Sequence, residues 1–200
     1  MTAWIAPADI MTWLGPDLDL PTATILANSA TSAVGNYLQR DLAQQIVTNE
    51  LHSGLNTEYL LLNCWPITAV AAVVLGAGPP LPPAGWNVAG WKLDQFNSRK
   101  LWLLGMGRIP RGELNISVSY TGGYDLTLAQ GVAGAIPADV YLALQLTAAA
   151  QWNARAADPN LASESTAGVF SGSFYPTGVG AVPPGARSLL GSYVRVAPNL

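Results

Sequence analysis

The sequence predicts an α+β fold: an antiparallel helical bundle with an inserted antiparallel β region and an extended C-terminal arm. Apolar residues recur at helical spacing on both sides of a middle region in which apolar and polar residues alternate. Toward the end, the chain becomes rich in Gly, Ser and Pro, which is typical of extended segments. We therefore expect a core over residues 1–160 and an arm over residues 161–200 that ends in a short apolar anchor.

Three helices are expected, and they cover residues 7–15, 22–42 and 137–156. In the first, Ile10 and Trp13 share a face at helical spacing, and Gly15 ends it. In the second, apolar residues recur every three or four positions and leave a polar stripe. The third begins at Pro137 and has almost no polar face. Because a helix that is apolar all round is buried all round, we expect a neighbouring subunit to cover it.

The β region is expected over residues 44–120. Its expected strands cover residues 44–50, 59–62, 67–75, 88–93, 101–104 and 113–120. The last strand alternates apolar and polar residues strictly, which predicts one buried face. Turn residues at 52–54 predict that His52 lies in an exposed turn, and four prolines within 76–85 predict an extended loop.

Charge is sparse in this chain. Only 10% of the residues are charged and the formal net charge is −3, whereas roughly 25% charged residues are common in soluble proteins. This excludes the general basic surface with which proteins coat nucleic acid. Two interpretations stay open: neighbouring molecules cover much of the surface, or the surface is polar but uncharged.

We expect neither a secretory signal peptide nor a membrane span. The N-terminal segment lacks a basic region before its apolar residues. The uncharged stretch 59–78 is long enough to span a bilayer. However, Pro66 lies inside it and its second half is rich in valine, which predicts two strands instead.

Residues with catalytic or metal-binding chemistry are few. The sole histidine, His52, has no aspartate or cysteine near it in sequence, and the single cysteine, Cys64, excludes an internal disulfide. Two Gly-rich stretches, 105–110 and 178–183, have proline where a dinucleotide-binding loop needs its third glycine. We therefore expect no enzyme activity, no metal site and no cofactor, and we interpret Cys64 as a small buried residue.

A basic patch is the first candidate interaction site. Four of the nine basic residues lie within thirteen positions, namely Arg99, Lys100, Arg108 and Arg111. Such a patch is suited to contact with DNA in a channel or with an acidic partner. The alternative is a solvated hairpin rim whose ion pairs contribute little.

Seven tryptophans offer a second candidate site. Trp86, Trp91 and Trp102 could present a stacking surface for sugars, as in a β-rich carbohydrate-binding module. The alternative is packing in the core or in an interface, since tryptophan is common in both.

The arm and the third helix contain the candidate interface residues. The Gly-rich stretch 163–185 has aromatic residues embedded in it, and the anchor after it is apolar. We expect contacts with a neighbouring subunit or another partner here. The candidates are Tyr141, Trp152, Phe170, Phe174, Tyr175, Leu189, Leu190 and Tyr193.

Short motifs occur along the chain in a fixed order. They are YLQRDL at 37–42, LLLNCWPI at 60–67, VSYTGGY at 118–124, IPADV at 136–140, VP at 182–183 and LLGSY at 189–193. Together with the short N-terminal helix, this series resembles the head–tail connector (adaptor) proteins of long-tailed phages. The resemblance covers nearly the whole chain. The Pro-rich loop 76–85, the long arm and the low charge depart from the family pattern.

This resemblance implies a structural virion protein without catalysis. Such proteins form a ring, expected here to be a dodecamer, in the neck between the capsid portal and the tail. The resemblance implies that the C-terminal segment contacts the portal protein and that the opposite face receives a tail-completion protein. It also implies a central channel that passes DNA without reading its sequence, and assembly in the host cytoplasm.

Two other functions stay open. A carbohydrate-binding module with surface tryptophans predicts a β sandwich, which the two long helices disfavour. A hydrolase would need residues that converge from distant parts of the chain, with His52 as the base.

Overall fold

The computed structural model describes residues 3–15, 17–85, 88–105, 108–154, 163–166, 170–173 and 182–195. The chain forms two compact units. The helical unit comprises Met1–Asp41 and Ala129–Leu200, and the β unit comprises Leu42–Leu128. The β unit is thus one continuous segment, whereas the helical unit combines both ends of the chain.

Helices and strands follow one another along the chain in a mixed order. They are α1 (Pro7–Leu14), α2 (Leu20–Leu38), β1 (Gln45–Gly54), β2 (Tyr59–Leu61), β3 (Ile67–Leu75), β4 (Gly90–Leu93), β5 (Lys100–Leu104), β6 (Gly112–Gly122), α3 (Ala138–Ala154), β7 (Ser163–Thr166), β8 (Phe170–Ser173) and α4 (Pro184–Leu190). The Asp19 carboxylate caps α2 by accepting a hydrogen bond from the Thr22 N–H at 3.3 Å. Gln39, with a φ of 56°, ends α2 before the expected residue 42.

In the helical unit, α1 and α3 both pack against α2, and α4 packs against α3. Alanines make up much of the buried face of α2 and let the neighbouring helices approach closely. Gly35 serves the same purpose, since a Cβ there would lie 3.3 Å from Cη2 of Trp4. The buried apolar residues of this unit include Ile10, Ala23, Ala27, Ala30, Val34, Leu38, Val140, Leu144, Ala148, Ala186 and Leu190.

Two three-stranded antiparallel sheets build the β unit, with strand orders β1-β6-β3 and β2-β5-β4. The alternating sequence of β6 places Ile116, Val118 and Tyr120 on the inner face, as predicted. Both sheets contribute to one hydrophobic core. Its buried residues are Leu60, Leu62, Cys64, Val73, Leu101, Leu103, Ile109, Ile116, Val118 and Tyr120.

The expected helical bundle with an inserted β region is wrong. Among the described residues, four helices and two three-stranded sheets form a mixed α+β fold. The physical reason is that the strands enclose a hydrophobic core of their own. Periodicity reveals the elements, but it does not reveal which of them share a core.

Within a single chain, α3 is buried along one stripe and not all round. Val140, Leu144 and Thr147 are fully buried, whereas Leu142 is 36% exposed and Trp152 is half-buried. Complete burial of α3 would need a neighbouring molecule against its second face. That neighbour stays a prediction.

The strand β1 runs to Gly54, so residues 52–54 are strand and not the expected turn. His52 pairs with Ile116 of β6 and is partly buried. Gly54 is required by close packing, because a Cβ there would lie 1.8 Å from the carbonyl oxygen of Pro110. The expectation of an exposed turn histidine is therefore wrong.

The C-terminal anchor, which consists of α4 and the 3₁₀ turn Gly191–Tyr193, packs on its own chain. Ala186 and Leu190 have no exposed surface. The N–H of Arg195 donates a hydrogen bond to the carbonyl oxygen of Leu38 at 3.0 Å. Before the anchor, β7 and β8 pair as an antiparallel two-stranded ribbon. The chain that follows α3 therefore returns to the same helix, where α4 packs against it.

Candidate functional site

The outward face of the sheet β2-β5-β4 concentrates aromatic, aliphatic and basic side chains. Strand register pairs both Tyr59 and Lys92 with Trp102, so these three residues share one face. Leu101 and Leu103 alternate with them and point into the core. We call the outward set, with the tip of the β4–β5 loop, the cation–aromatic face; its members are Tyr59, Lys92, Phe96, Lys100, Trp102 and Leu104.

Two aromatic rings hold the Lys100 side chain on this face. Its Nζ lies 4.0 Å from the ring centroid of Tyr59 and 3.8 Å from that of Trp102. The two rings contact each other edge to face, with centroids 5.5 Å apart. Each cation–π contact at a solvated site contributes about 0.5–1 kcal/mol. The charge of Lys100 is therefore presented on an ordered aromatic surface.

The β4–β5 loop holds Phe96 out in solvent, where its side chain is 99% exposed. Below it, the Asp94 Oδ1 accepts hydrogen bonds from the N–H groups of Phe96 at 2.8 Å and Asn97 at 3.1 Å. The other carboxylate oxygen accepts the indole N–H of Trp102 at 2.8 Å. These hydrogen bonds, with that from Phe96 the strongest, hold the pKa of Asp94 below its usual range. The loop is thus ordered by a carboxylate beneath an exposed apolar tip.

A depression of about 400 Å³ adjoins this tip. Its mostly apolar wall includes Lys92, Leu93, Trp102 and Leu104 beside Phe96. An exposed aromatic ring next to an apolar depression is typical of hot spots in protein–protein interfaces.

The four basic residues predicted as one patch do not form one cluster. Lys100 lies on the cation–aromatic face, and Arg99 is half-buried, with its Nε donating to the carbonyl oxygen of Leu62 at 3.1 Å. Arg108 and Arg111 follow the opposite end of β5 and are exposed. Five strand residues span roughly 13 Å, so β5 separates the two pairs.

The tryptophans do not form the row that sugar stacking would require. Trp91 pairs with the buried Leu103, packs against the core, and donates its indole N–H to the carbonyl oxygen of Leu81 at 3.1 Å. Trp102 points to the opposite face of the sheet. Trp86 lies outside the described residues. Packing accounts for Trp91, and only Trp102 of the described pair is presented outward.

A polar network around Glu50 links the two edges of the β unit. One Glu50 oxygen accepts hydrogen bonds from the N–H and side-chain amide of Asn63, at 3.2 and 2.9 Å, and lies 2.7 Å from Nε2 of His52. The other accepts the hydroxyl of Tyr120 at 2.6 Å. That hydroxyl in turn accepts the N–H of Cys64 at 2.9 Å. The network ties β1 and β6 to the segment after β2.

Burial and hydrogen bonding act against each other at Glu50. Burial alone would raise the pKa of its carboxyl, but the hydrogen bonds from His52 and Tyr120 outweigh burial and lower it. Burial, together with the Glu50 carboxylate, raises the pKa of Tyr120 above its ordinary value. His52 therefore has an acidic neighbour two positions earlier on the same face of β1, which the predicted turn at 52–54 did not anticipate. The network cross-links strands, which is a structural role.

Acid is expected to destabilise the β unit through Glu50. Because the folded carboxyl has a lowered pKa, the unfolded chain binds its proton first, and stability falls as pH drops below the ordinary value of 4.5. Urea unfolding measured between pH 7 and 3 checks this. Glu50→Gln should give a flatter pH profile than the wild-type chain, and an equally steep profile would show that other groups cause the acid sensitivity.

The interface residues predicted in α3 and the anchor make contacts inside the helical unit. The Tyr141 hydroxyl donates to the Asp9 carboxylate, and the Tyr193 hydroxyl contacts both oxygens of Asp139, at 2.9 and 3.0 Å. Leu190 is fully buried. These three residues therefore hold the unit together.

The remaining candidates of this set differ in their surroundings. Leu189 and Trp152 are half-buried and keep part of their surface available. Phe170 is the first residue of β8. Phe174 and Tyr175 lie outside the described residues.

Replacing Tyr193 with Phe is expected to destabilise the helical unit by about 1 kcal/mol, because a hydrogen bond to a charged group is lost at a partly exposed site. Urea unfolding measures this effect. The matched control is Tyr37→Phe, since the Tyr37 hydroxyl bonds to no residue that the structure describes. Equal stability of the two variants would contradict the role given to Tyr193.

Neither metal binding nor membrane crossing finds support in the described ranges. No group of three His, Cys, Asp or Glu side chains there could hold a metal ion. No helix of the described segments has both the length and the apolar character needed to cross a bilayer.

Solved structures show where this fold occurs. A chain from the neck of an empty gene transfer agent particle, computed with C6 symmetry, matches 100% of this chain and 95% of its own length, with a TM-score of 0.51 and 20% identity. A chain from the neck of the native particle, computed with C12 symmetry, matches the same shares with a TM-score of 0.50 and 18% identity. The chain shares the fold of these neck chains. A chain of the native gene transfer agent virion also matches, with a TM-score of 0.51, 19% identity and coverage of 98% and 91%.

The resemblance to head–tail connector proteins is thereby confirmed at the level of the fold. No protein-family model matches the sequence, and no curated protein matches it significantly. The fold is thus shared at sequence identities of 18–20%.

Proposed function

We propose that this protein is a structural subunit of the neck of a phage-like particle. The observation that carries the proposal is the match, over the full length of this chain and 95% of the other, to chains of two neck structures. A similarity over both units and their connections is stronger support than one confined to a single domain. The proposed role is mechanical and involves no catalysis.

In this proposal, copies of the chain form a ring between the portal and the tail, and DNA passes through its centre. The C6 and C12 symmetry of the similar neck structures supports a ring, with a dodecamer as the expected size. Large apolar side chains exposed on both units, such as Ile25 and Ile46 at 67% and 79%, also favour coverage by neighbours. A head-to-tail contact between identical chains closes into a ring when its rotation closes.

Roles for individual residues follow from their exposure. Arg108 and Arg111 are exposed and are the proposed contacts to DNA or to an acidic partner. Leu189 and Trp152 are proposed to contact the portal or a neighbouring subunit through their exposed portions. Phe174 and Tyr175, which lie outside the described residues, are assigned to the same proposed contact by their place in the Gly-rich arm alone.

Deletion of the coding sequence in a particle-producing cell, with complementation by the intact chain, tests the proposal. Loss of the chain should give filled heads and separate tails, seen by negative-stain electron microscopy, and complementation should restore joined particles. Particles that lack the chain but still carry tails would overturn the proposal.

A further inference from the structure

We infer that the cation–aromatic face docks onto a second copy of this chain, at the corner between α1 and α2 formed by Trp13, Asp17, Asp19 and Leu20. The inference rests on the proposed ring and specifies its subunit contact. Phe96 would be the central anchor of this contact, with Lys92 and Lys100 facing the two aspartates.

The face is built in advance for such a contact. The Asp94 carboxylate orders the loop under Phe96 through two backbone N–H groups. Its hydrogen bond to Trp102 joins that loop to the sheet. Little conformational freedom is therefore lost when Phe96 inserts into a partner, and pre-ordered aromatic anchors bind well for this reason.

The charge on this face is positive. Lys92 is exposed, and Lys100 is held on the two aromatic rings. The carboxylate of Asp94, in the adjoining loop, already accepts two hydrogen bonds from that loop and one from Trp102 of β5. The surface that complements this face is therefore apolar and acidic.

The α1–α2 corner has these properties. Trp13 and Leu20 are 49% and 58% exposed, so this corner presents two large apolar side chains to solvent. Asp17 and Asp19 lie between them and are exposed. The helical unit as a whole contains seven acidic and four basic residues, whereas the β unit contains five of each.

A second copy is the occupant that this pattern favours. One chain carries both complementary surfaces, so each bound copy still presents one free surface of each kind. Such a heterologous contact propagates from copy to copy, which is what a ring requires. A contact of the face with itself would instead bring four lysines together and repel.

Photo-crosslinking in assembled particles tests the contact. The complemented producer cell would make the chain with the photoreactive amino acid p-benzoylphenylalanine in place of Phe96. After irradiation, we expect crosslinked oligomers of this chain, with the adduct mapped by mass spectrometry to residues 13–20 of another copy. The control carries the same amino acid in place of Ile46, which is 79% exposed on the other sheet, and should not reach that corner.

The outcomes separate this contact from the proposed function. Particles that contain the chain but give adducts with another neck protein, with DNA or with other residues of this chain would overturn the docking inference and leave the neck role intact. Absence of the chain from joined, tailed particles would overturn the neck role itself.

Charge exchange provides a second test, by sedimentation of the purified chain at low salt. Lys92→Glu with Lys100→Glu, or Asp17→Lys with Asp19→Asn, should each weaken self-association by about 30-fold or more, as expected for a contact hot spot. Asparagine at position 19 removes the charge but keeps a side-chain oxygen that can cap α2. A mixture of the two variants should recover association between them. Variants that associate as well as the wild-type chain, or a mixture without recovery, would contradict the inference.

Discussion

Replacing Glu50 with Ala is expected to destabilise the β unit by about 3 kcal/mol. The Glu50 side chain is only 12% exposed and joins His52, Asn63 and Tyr120. Without the carboxylate, the hydroxyl of Tyr120 loses its acceptor, although the Tyr120 side chain stays fully buried. Leaving a buried polar group unpaired costs more than the hydrogen bond itself contributed.

Urea unfolding followed by circular dichroism measures this loss at pH 7. Glu58→Ala is the matched control, because Glu58 is an exposed glutamate of the same unit and should change stability by less than about 0.5 kcal/mol. If the two variants unfold at the same urea concentration, the network does not hold the strands together.

Replacing Leu190 with Ala is expected to destabilise the helical unit by about 3 kcal/mol. Leu190 lies at the end of α4, is fully buried, and belongs to the helix that packs on α3. The substitution leaves a cavity where the Leu190 side chain was buried. The effect should reach Tyr193 as well, since its contact with Asp139 depends on the placement of α4.

Thermal unfolding and limited proteolysis measure this second effect. The Leu190→Ala variant should release the anchor to protease at temperatures where the wild-type chain resists. Leu189→Ala is the matched control, because the neighbouring side chain is only half-buried and should cost less than half as much. Equal losses of stability in the two variants would contradict the burial of Leu190 between α4 and the rest of the helical unit.

The sequence predicted the elements of the fold better than their partners. The alternation in β6 and the helical spacing in α2 are local patterns, and the structure confirms both elements. The shared core of the two sheets brings together residues far apart in sequence, such as Leu101 of β5 and Val118 of β6, and no local pattern encodes it. For the same reason, the fold of the anchor back onto α3 could not be read from its composition.

The candidate site was predicted in part. Lys100 and Trp102 were singled out, but in two separate hypotheses, because the expected strand began at residue 101 and left Lys100 outside it. The strand β5 begins at Lys100 and places both side chains on one face. The contact of Lys100 with Tyr59 arises only when β2 and β5 pair. Phe96 was missed. The signal in the sequence was an aspartate, Asp94, followed by Asn97 between two predicted strands, which is typical of an Asx turn. An aromatic residue inside such a surface turn, here Phe96, is expected to be exposed.

The neck of the native particle, reconstructed by cryo-electron microscopy from cells that produce this chain, tests the central claim most directly. The account predicts a closed ring of copies of this chain between portal and tail, with each β unit contacting the helical unit of the next copy. A neck reconstruction complete without this chain would contradict it.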